Sequence, residues 1–230
     1  QKSKSYRSFD KEKMTGLMKK LDGQKAVVEE IKKTPKKTYA PLLYDLTELQ
    51  REANQRFGYS AKETLNIMQR LYENHKVLTY PRTDSRYLSK DIVPTIKDRL
   101  EACGTGPYRK LAMTAKKKDL SGKLAFVNDA KVSDHHAIIP TEQFVDLSHM
   151  TNEERKIYDL VVRRFLAVLY PPFEYEQTQV TVKVGGETFL ASGKIVKAQG
   201  WRAAYEEEVY SDEDEEEEEV ETVKDKYLYS

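Results

Sequence analysis

Apolar side chains return every third or fourth position through most of this chain, the spacing of one buried helical face. Asp10 caps the first such run, which carries Met14, Leu17, Met18 and Leu21 on one side and stops at Asp22-Gly23. Asp45 and Glu48 stand as a capping box before Leu49, Ala53 and Phe57, and Gly58 closes that run. Ser60 and Glu63 repeat the device before Leu65, Met68, Leu71 and Tyr72, so two short helices meet at Gly58-Tyr59 as a helix-turn-helix pair. Ser89 is placed to cap a helix to about Ala102, which Gly104 and Gly106-Pro107 end, and Tyr108–Ala115 reads as a short basic helix. Thr151 and Glu154 open the longest helix, with Ile157, Leu160, Val161, Phe165, Val168 and Leu169 inward, Arg163 and Arg164 facing elsewhere, and Pro171-Pro172 as its stop.

Strand patterns flank these helices. Ser5 to Phe9 is a weak strand, and Lys25 to Ile31 is rich in Val and Ile. Lys32, Lys33, Lys36 and Lys37 around Pro35 read as a basic connector. Val180, Val182 and Val184 alternate with polar residues, Gly185-Gly186 turns the chain, and Phe189-Leu190-Ala191 returns, a β-hairpin pattern; Ile195 to Trp201 reads as a further strand, with Trp201 as a core anchor. The order is β, then mostly helix, then β again. It predicts an α+β multidomain fold in which a helical domain is inserted into a β-rich one.

Charge adds an anionic partner to this picture. The formal net charge is +1, but residues 206–221 hold twelve acidic residues and no Lys or Arg, so removing them leaves +13 on the remainder. A body that basic points to nucleic acid. The acidic run reads as a solvated loop, or as a mimic of nucleic acid that folds back over a basic groove. Lys116, Lys117 and Lys118 form a second positive patch, and Arg51, Arg56, Lys62 and Arg70 on the helix pair are candidates to line a DNA groove. The lone Cys103 excludes an internal disulfide and fits packing in a reducing compartment. No signal peptide and no apolar run long enough to cross a membrane is present, and the initial Gln marks a processed or excised piece.

Two stretches carry chemistry. Val77 to Tyr80 favours a short strand, and Pro81 holds Tyr80 extended, so Tyr80 and Arg82, two apart, project from the same face. A free phenol, with a pKa of about 10, is a poor nucleophile at neutral pH. A guanidinium beside it favours phenolate and grips phosphate oxygens. Thr83, Asp84 and Ser85 follow, with Asp84 and Ser85 able to cap a turn and Asp84 placed to orient Arg82. The plainer reading is a strand-end Tyr packed on the core with a solvated Arg after it. The second stretch, Val132 to Thr141, contains His135-His136. Neighbouring histidines in an extended chain point oppositely, and no Cys or carboxylate set completes a metal sphere, so the pair suits phosphate contact or proton relay, or simply a hydrogen bond within a loop.

Tyr80-Pro81-Arg82-Thr83-Asp84-Ser85 resembles the active-site signature of type IA DNA topoisomerases. Together with Pro41-Leu42-Leu43-Tyr44-Asp45-Leu46 and Asp134 to Thr141, it is similar to the topoisomerase III branch, over about Lys33 to Trp201. The resemblance implies a discontinuous β-rich arch domain, residues 1–41 and 174–230, with a helical domain, residues 42–173, that carries the catalytic Tyr. It implies Tyr80 as nucleophile, forming a 5′-phosphotyrosyl link without ATP, Arg82 and His135 as its catalytic partners, and Thr83, Asp84, Ser85 and His136 as DNA-binding or supporting residues. It further implies Mg2+ in a full-length parent but none bound by this piece, which lacks the metal-bearing N-terminal domain and is expected to be inactive alone. The expected partner is single-stranded DNA and the expected setting a monomeric, cytoplasmic, nucleoid-associated protein. Two other classes remain: a non-catalytic single-stranded DNA-binding module built on the helix pair, and a different tyrosine-nucleophile enzyme such as a recombinase or relaxase.

Overall fold

A computed structural model describes residues 10–205. The expected strand at Ser5–Phe9 and the acidic run at 206–221 lie outside the described residues. The chain divides into two compact units, which are taken separately.

One unit, residues 10–37 and 174–197, holds helix α1 (Lys11–Leu21) and a three-stranded sheet, order β1 (Val27–Thr38), β2 (Phe173–Val184), β3 (Glu187–Ala198). Asp10 caps α1 through its carboxylate and the Lys13 amide, 3.0 Å. Met14 and Met18 nevertheless stay exposed, and α1 buries no residue. β1 runs on through the four lysines and Pro35, which sequence had made a connector. Pro35 is tolerated because β1 is an edge strand with a side free of ladder bonds. The lysines are drawn into the sheet by cross-strand ion pairs: Lys37 with Glu174 (2.6 Å) and Lys33 with Glu176 (3.8 Å), while Glu29 pairs with Lys183 (2.6 Å). Partners that climb along β2 as they descend along β1 are the mark of an antiparallel pair. Gly185 and Gly186, at φ +55° and +81°, make the two-residue turn between β2 and β3 that only residues free to take positive φ can make. β3 continues to Ala198, so the expected separate strand from Ile195 to Trp201 does not exist; its end belongs to a 3-10 turn, Gly200–Tyr205.

The other unit, residues 38–173 and 198–205, contains the hydrophobic core. Its helices are α2 (Leu46–Phe57), α3 (Ala61–Glu73), α4 (Ile96–Cys103), α5 (Arg109–Ala115) and α6 (Asn152–Leu169). The capping boxes at Ser60/Glu63 and Thr151/Glu154 are complete, whereas at Asp45 only the half that binds the Glu48 amide forms. In α3 the buried stripe is Thr64, Ile67, Met68 and Leu71, one position round from the expected face, which leaves Tyr72 exposed. Pro94 splits the helix expected after Ser89: residues Lys90–Thr95 are 3-10, Ser89 makes no side-chain cap, and α-helix starts only at Ile96.

α6 is buried nearly all round, and Arg163 and Arg164, expected to face away from the core, are 4% and 6% exposed. Each is satisfied: Arg163 pairs with Asp159 (2.9 Å) and donates to the Ala204 carbonyl (2.7 Å). Arg164 pairs with Glu52 (2.6 Å), donates to the Leu42 carbonyl and the Tyr44 hydroxyl, 3.0 Å each, and lies over the Tyr44 ring. The Tyr44 hydroxyl donates in turn to Glu52. Burial pushes the Tyr44 phenol well up, against the pull of Arg164, so it stays a neutral donor. Gly200, at φ +52°, lies so close to the Pro172 carbonyl that a Cβ would overlap it. The tryptophan beside it, Trp201, packs against the core and donates to the Thr38 carbonyl, 3.0 Å. Among the described residues no helix is long and apolar enough to cross a membrane.

Candidate active site

The strand expected over Val77–Tyr80 is reduced to a single antiparallel bridge, Leu78 with Pro140. The flanking bonds are Thr79 amide to Ile139 carbonyl and Thr141 amide to Val77 carbonyl, each 3.0 Å. Pro81 and Pro140 explain the brevity, since neither can donate to a ladder. Extending the same antiparallel register places Thr83 opposite His135. There the Thr83 hydroxyl donates to the His135 carbonyl at 2.9 Å and accepts from the Ser85 amide at 3.1 Å. The two stretches that sequence singled out, about fifty residues apart, therefore meet.

The chain bends at Pro81, and from there burial alternates: Pro81, Thr83 and Ser85 are buried, Arg82 and Asp84 exposed. Tyr80 is half-buried. Its ring stacks, tilted, on the exposed His135 ring with centroids 4.3 Å apart, and the Tyr72 ring meets it edge-on at 5.6 Å. Arg82 makes no ion pair or hydrogen bond among the described residues, so its guanidinium is available to an anion. Asp84 does not hold Arg82; it accepts from the Ser133 hydroxyl at 3.3 Å, a second link between the two stretches. Ser85 supplies a third, donating to the Lys131 carbonyl at 2.7 Å and accepting from the Tyr87 amide at 3.2 Å.

His136 turns the other way. It is half-buried, and its Nδ1–H donates to the Ala137 carbonyl at 2.7 Å. Burial lowers its pKa from the ordinary imidazole value, against that hydrogen bond, and so favours the neutral ring. It sits behind the surface that His135 presents.

Three supports were not apparent from sequence. Arg99, 6% exposed, donates to the Pro140 carbonyl at 2.8 Å and pairs with Glu142, also 2.8 Å, which fixes the end of the His135 stretch. Arg86 donates to the Leu43 carbonyl at 3.1 Å, and the Leu46 amide donates to Thr83, 3.0 Å, tying α2 to the Tyr80 loop. Tyr72, expected on the core face, continues the i, i+4 row of the buried Thr64 and Met68 yet is exposed one residue before the helix ends, and no local signal marks it. Three of the four cations expected to line a groove on the helix pair are engaged, Arg51 with Glu48, Arg56 with Glu52 and Arg70 with Glu154, while Lys62 is exposed. No group of three His, Cys, Asp or Glu among the described residues is placed to hold a metal ion.

What this arrangement can do is present a phenol against an exposed imidazole, with an exposed guanidinium two residues on in the chain, a set suited to a phosphate ester. The family model described as DNA topoisomerase matches residues 1–228. "DNA topoisomerase 3" of Bacillus cereus is 61% identical over 207 residues, 90% of this chain. The protein of that name in Bacillus subtilis is 58% identical over 214 residues, 93% of this chain. The chain spans 28% and 29% of the length of those relatives. Full-length topoisomerase I from Thermotoga maritima superposes with a TM-score of 0.63 at 26% identity, over 89% of this chain and 33% of that one.

Proposed function

The chain belongs to the type IA DNA topoisomerases, with relatives named topoisomerase 3, and on that premise we propose that it supplies their strand-cleaving tyrosine. The Tyr80 oxygen attacks the phosphorus of one phosphodiester in single-stranded DNA. The bond from phosphorus to the 3′ oxygen breaks, that oxygen takes up a proton, and the DNA 5′ phosphate is left esterified to Tyr80. One phosphate ester replaces another, so rejoining needs no ATP, and a second strand passes while the gap is open.

The observation that carries this reading is the Tyr80 ring lying against the exposed His135 ring, with the exposed Arg82 two residues on. Arg82 offers two donors to the phosphoryl oxygens as negative charge builds up. His135 touches the nucleophile's ring and is positioned to contact the scissile phosphate. Thr83 and Ser85 hold the two stretches in register; Asp84 acts through Ser133, and His136 stays neutral behind them. No donor set for Mg2+ occurs among the described residues. The reading assigns metal binding to the remainder of a full-length enzyme, and the isolated chain is expected to leave a supercoiled plasmid unrelaxed.

Relaxation of negatively supercoiled plasmid tests the assignment. The full-length parent should relax it without ATP, and Tyr80→Phe and Arg82→Ala should each reduce the rate by at least a hundredfold. Relaxation at the parental rate by Tyr80→Phe would leave Tyr80 no chemical role.

A further inference from the structure

Beside Tyr80 lies an open cavity of about 590 Å3 lined by Tyr72, Glu73, Lys76, Thr79, Tyr80 and Thr141, with Leu78 behind. Its size falls within the range of sites that hold small ligands, about 300–1,000 Å3. Two features of its wall are unusual. Tyr72 stands at the end of the amphipathic α3 with 37% of its surface exposed, although it lies four residues on from the buried Met68. Lys76 is the one non-glycine residue with positive φ among the described residues, +59°.

That backbone conformation disfavours any residue with a Cβ, and a glycine is the usual choice where a helix ends this way. The surroundings impose it on Lys76. The Val77 amide reaches back to the Leu71 carbonyl at 3.0 Å, and the Thr141 hydroxyl donates to the Lys76 carbonyl at 2.6 Å. A strained lysine kept where glycine fits points to use of the side chain, and the side chain lines the cavity that holds the nucleophile. Lys76 makes no ion pair among the described residues. Glu73 brings a negative charge to the same lining, so the cavity as a whole is close to neutral and does not attract anions indiscriminately.

We propose that this cavity receives one nucleotide next to the phosphate attacked by Tyr80, with the base stacked on Tyr72 and the adjoining phosphate held by Lys76. The inference rests on Tyr80 being the nucleophile, because that fixes where the strand must run. Aromatic faces accept any base, whereas the carboxylate at Glu73 is a group able to prefer one. Glu73 would repel a second phosphate and confine the backbone to the Lys76 side.

Binding measured without cleavage separates this site from the chemistry. Full-length protein carrying Tyr80→Phe, which keeps the ring contacts, is titrated by fluorescence anisotropy. The probes are single-stranded oligonucleotides that place one abasic residue at each position around the cleavage point. Tyr72→Ala should weaken binding of the intact strand about tenfold, and the loss should vanish for one abasic position only. Lys76→Gly should fold as stably as the parent, since it relieves the positive φ, yet bind several-fold more weakly with a shallower salt dependence, by close to one phosphate contact. Glu73→Gln should bind more tightly. Equal losses for Tyr72→Ala at every abasic position, or Lys76→Gly binding at parental affinity, would overturn the proposal. Should Tyr80→Phe instead still become covalently joined to cleaved DNA, it is the nucleophile assignment that fails, and the binding pattern is unaffected.

Discussion

Replacing Thr83 by Val removes one hydroxyl and almost no volume, and that hydroxyl is the splice between the Tyr80 and His135 stretches. It donates to the His135 carbonyl and accepts from the Ser85 amide, in a side chain 7% exposed. Ser85 is itself buried, so its amide loses its partner with no water to replace it, at about 1–3 kcal/mol. His135 lies at the surface and its carbonyl can turn to solvent, so that bond is worth about 0.5–1.5 kcal/mol. Thr83→Val should therefore cost about 2–4 kcal/mol. Thr83→Ser keeps both bonds and deletes one buried methyl, for about 1 kcal/mol. Trp201 is the only tryptophan and lies in the same unit, so its fluorescence during urea unfolding reads the effect where it arises. The same substitution releases the His135 backbone from its place opposite Thr83, and with it the ring that lies against Tyr80. Small misplacements of reacting groups cost up to about a hundredfold in rate, so trapping of cleaved DNA by the full-length enzyme should slow at least tenfold in Thr83→Val and little in Thr83→Ser. If Ser is as damaging as Val in both measurements, packing rather than the hydroxyl joins the stretches and the reasoning fails.

Arg164→Met should cost about 1–3 kcal/mol, because Glu52 keeps Arg56 but loses its second cation and the Leu42 carbonyl loses its donor, and Glu52→Gln in the same chain should recover part of it; an additive double variant would contradict the coupling. His136, with its pKa lowered by burial, stabilises the fold in full above the unfolded value of about 6.5, and this contribution is lost as pH falls through the lower folded value. His136→Asn should accordingly flatten the decline in stability on acidification from pH 7.5 to 5, and parallel curves for the two proteins would count against it. Burial pushes the Cys103 thiol up to about 12, so at pH 8 iodoacetamide should label it only as fast as the protein opens, and labelling at the rate of a free thiol in buffer would show the burial to be wrong.

The helices that close on local signals were readable in advance. Ser60/Glu63 and Thr151/Glu154 form full capping boxes because every partner lies within one turn. The Gly185-Gly186 hairpin is equally local. What went unread depends on neighbours distant in sequence. Arg163 and Arg164 look like a polar face until Asp159, Glu52 and the carbonyls of Leu42 and Ala204 surround them. Lys33 and Lys37 look like a connector until Glu176 and Glu174 arrive on the next strand. Pro94 was a local signal that the expected cap at Ser89 outweighed, and the chain takes 3-10 turns there instead. At the site, the exposure of Arg82 and Asp84 between buried Thr83 and Ser85 is the local alternation of period two, whereas the stacking of His135 on Tyr80 needs the register set by Leu78 and Pro140. Tyr72 and Lys76 carry no local signal, because the cavity they line forms only where the end of α3 meets Thr141, far along the chain.

The central claim is that the Tyr80 oxygen becomes ester-linked to a DNA 5′ phosphate. A single-stranded oligonucleotide labelled at either end, incubated with the full-length enzyme and quenched in denaturant, reads both the residue and the polarity. The account predicts that the 3′-end label stays with the protein, that the 5′-end label is released on a fragment ending in a 3′ hydroxyl, and that the digested adduct carries its nucleotide on Tyr80. A retained 5′-end label, or an adduct on any residue other than Tyr80, would contradict it.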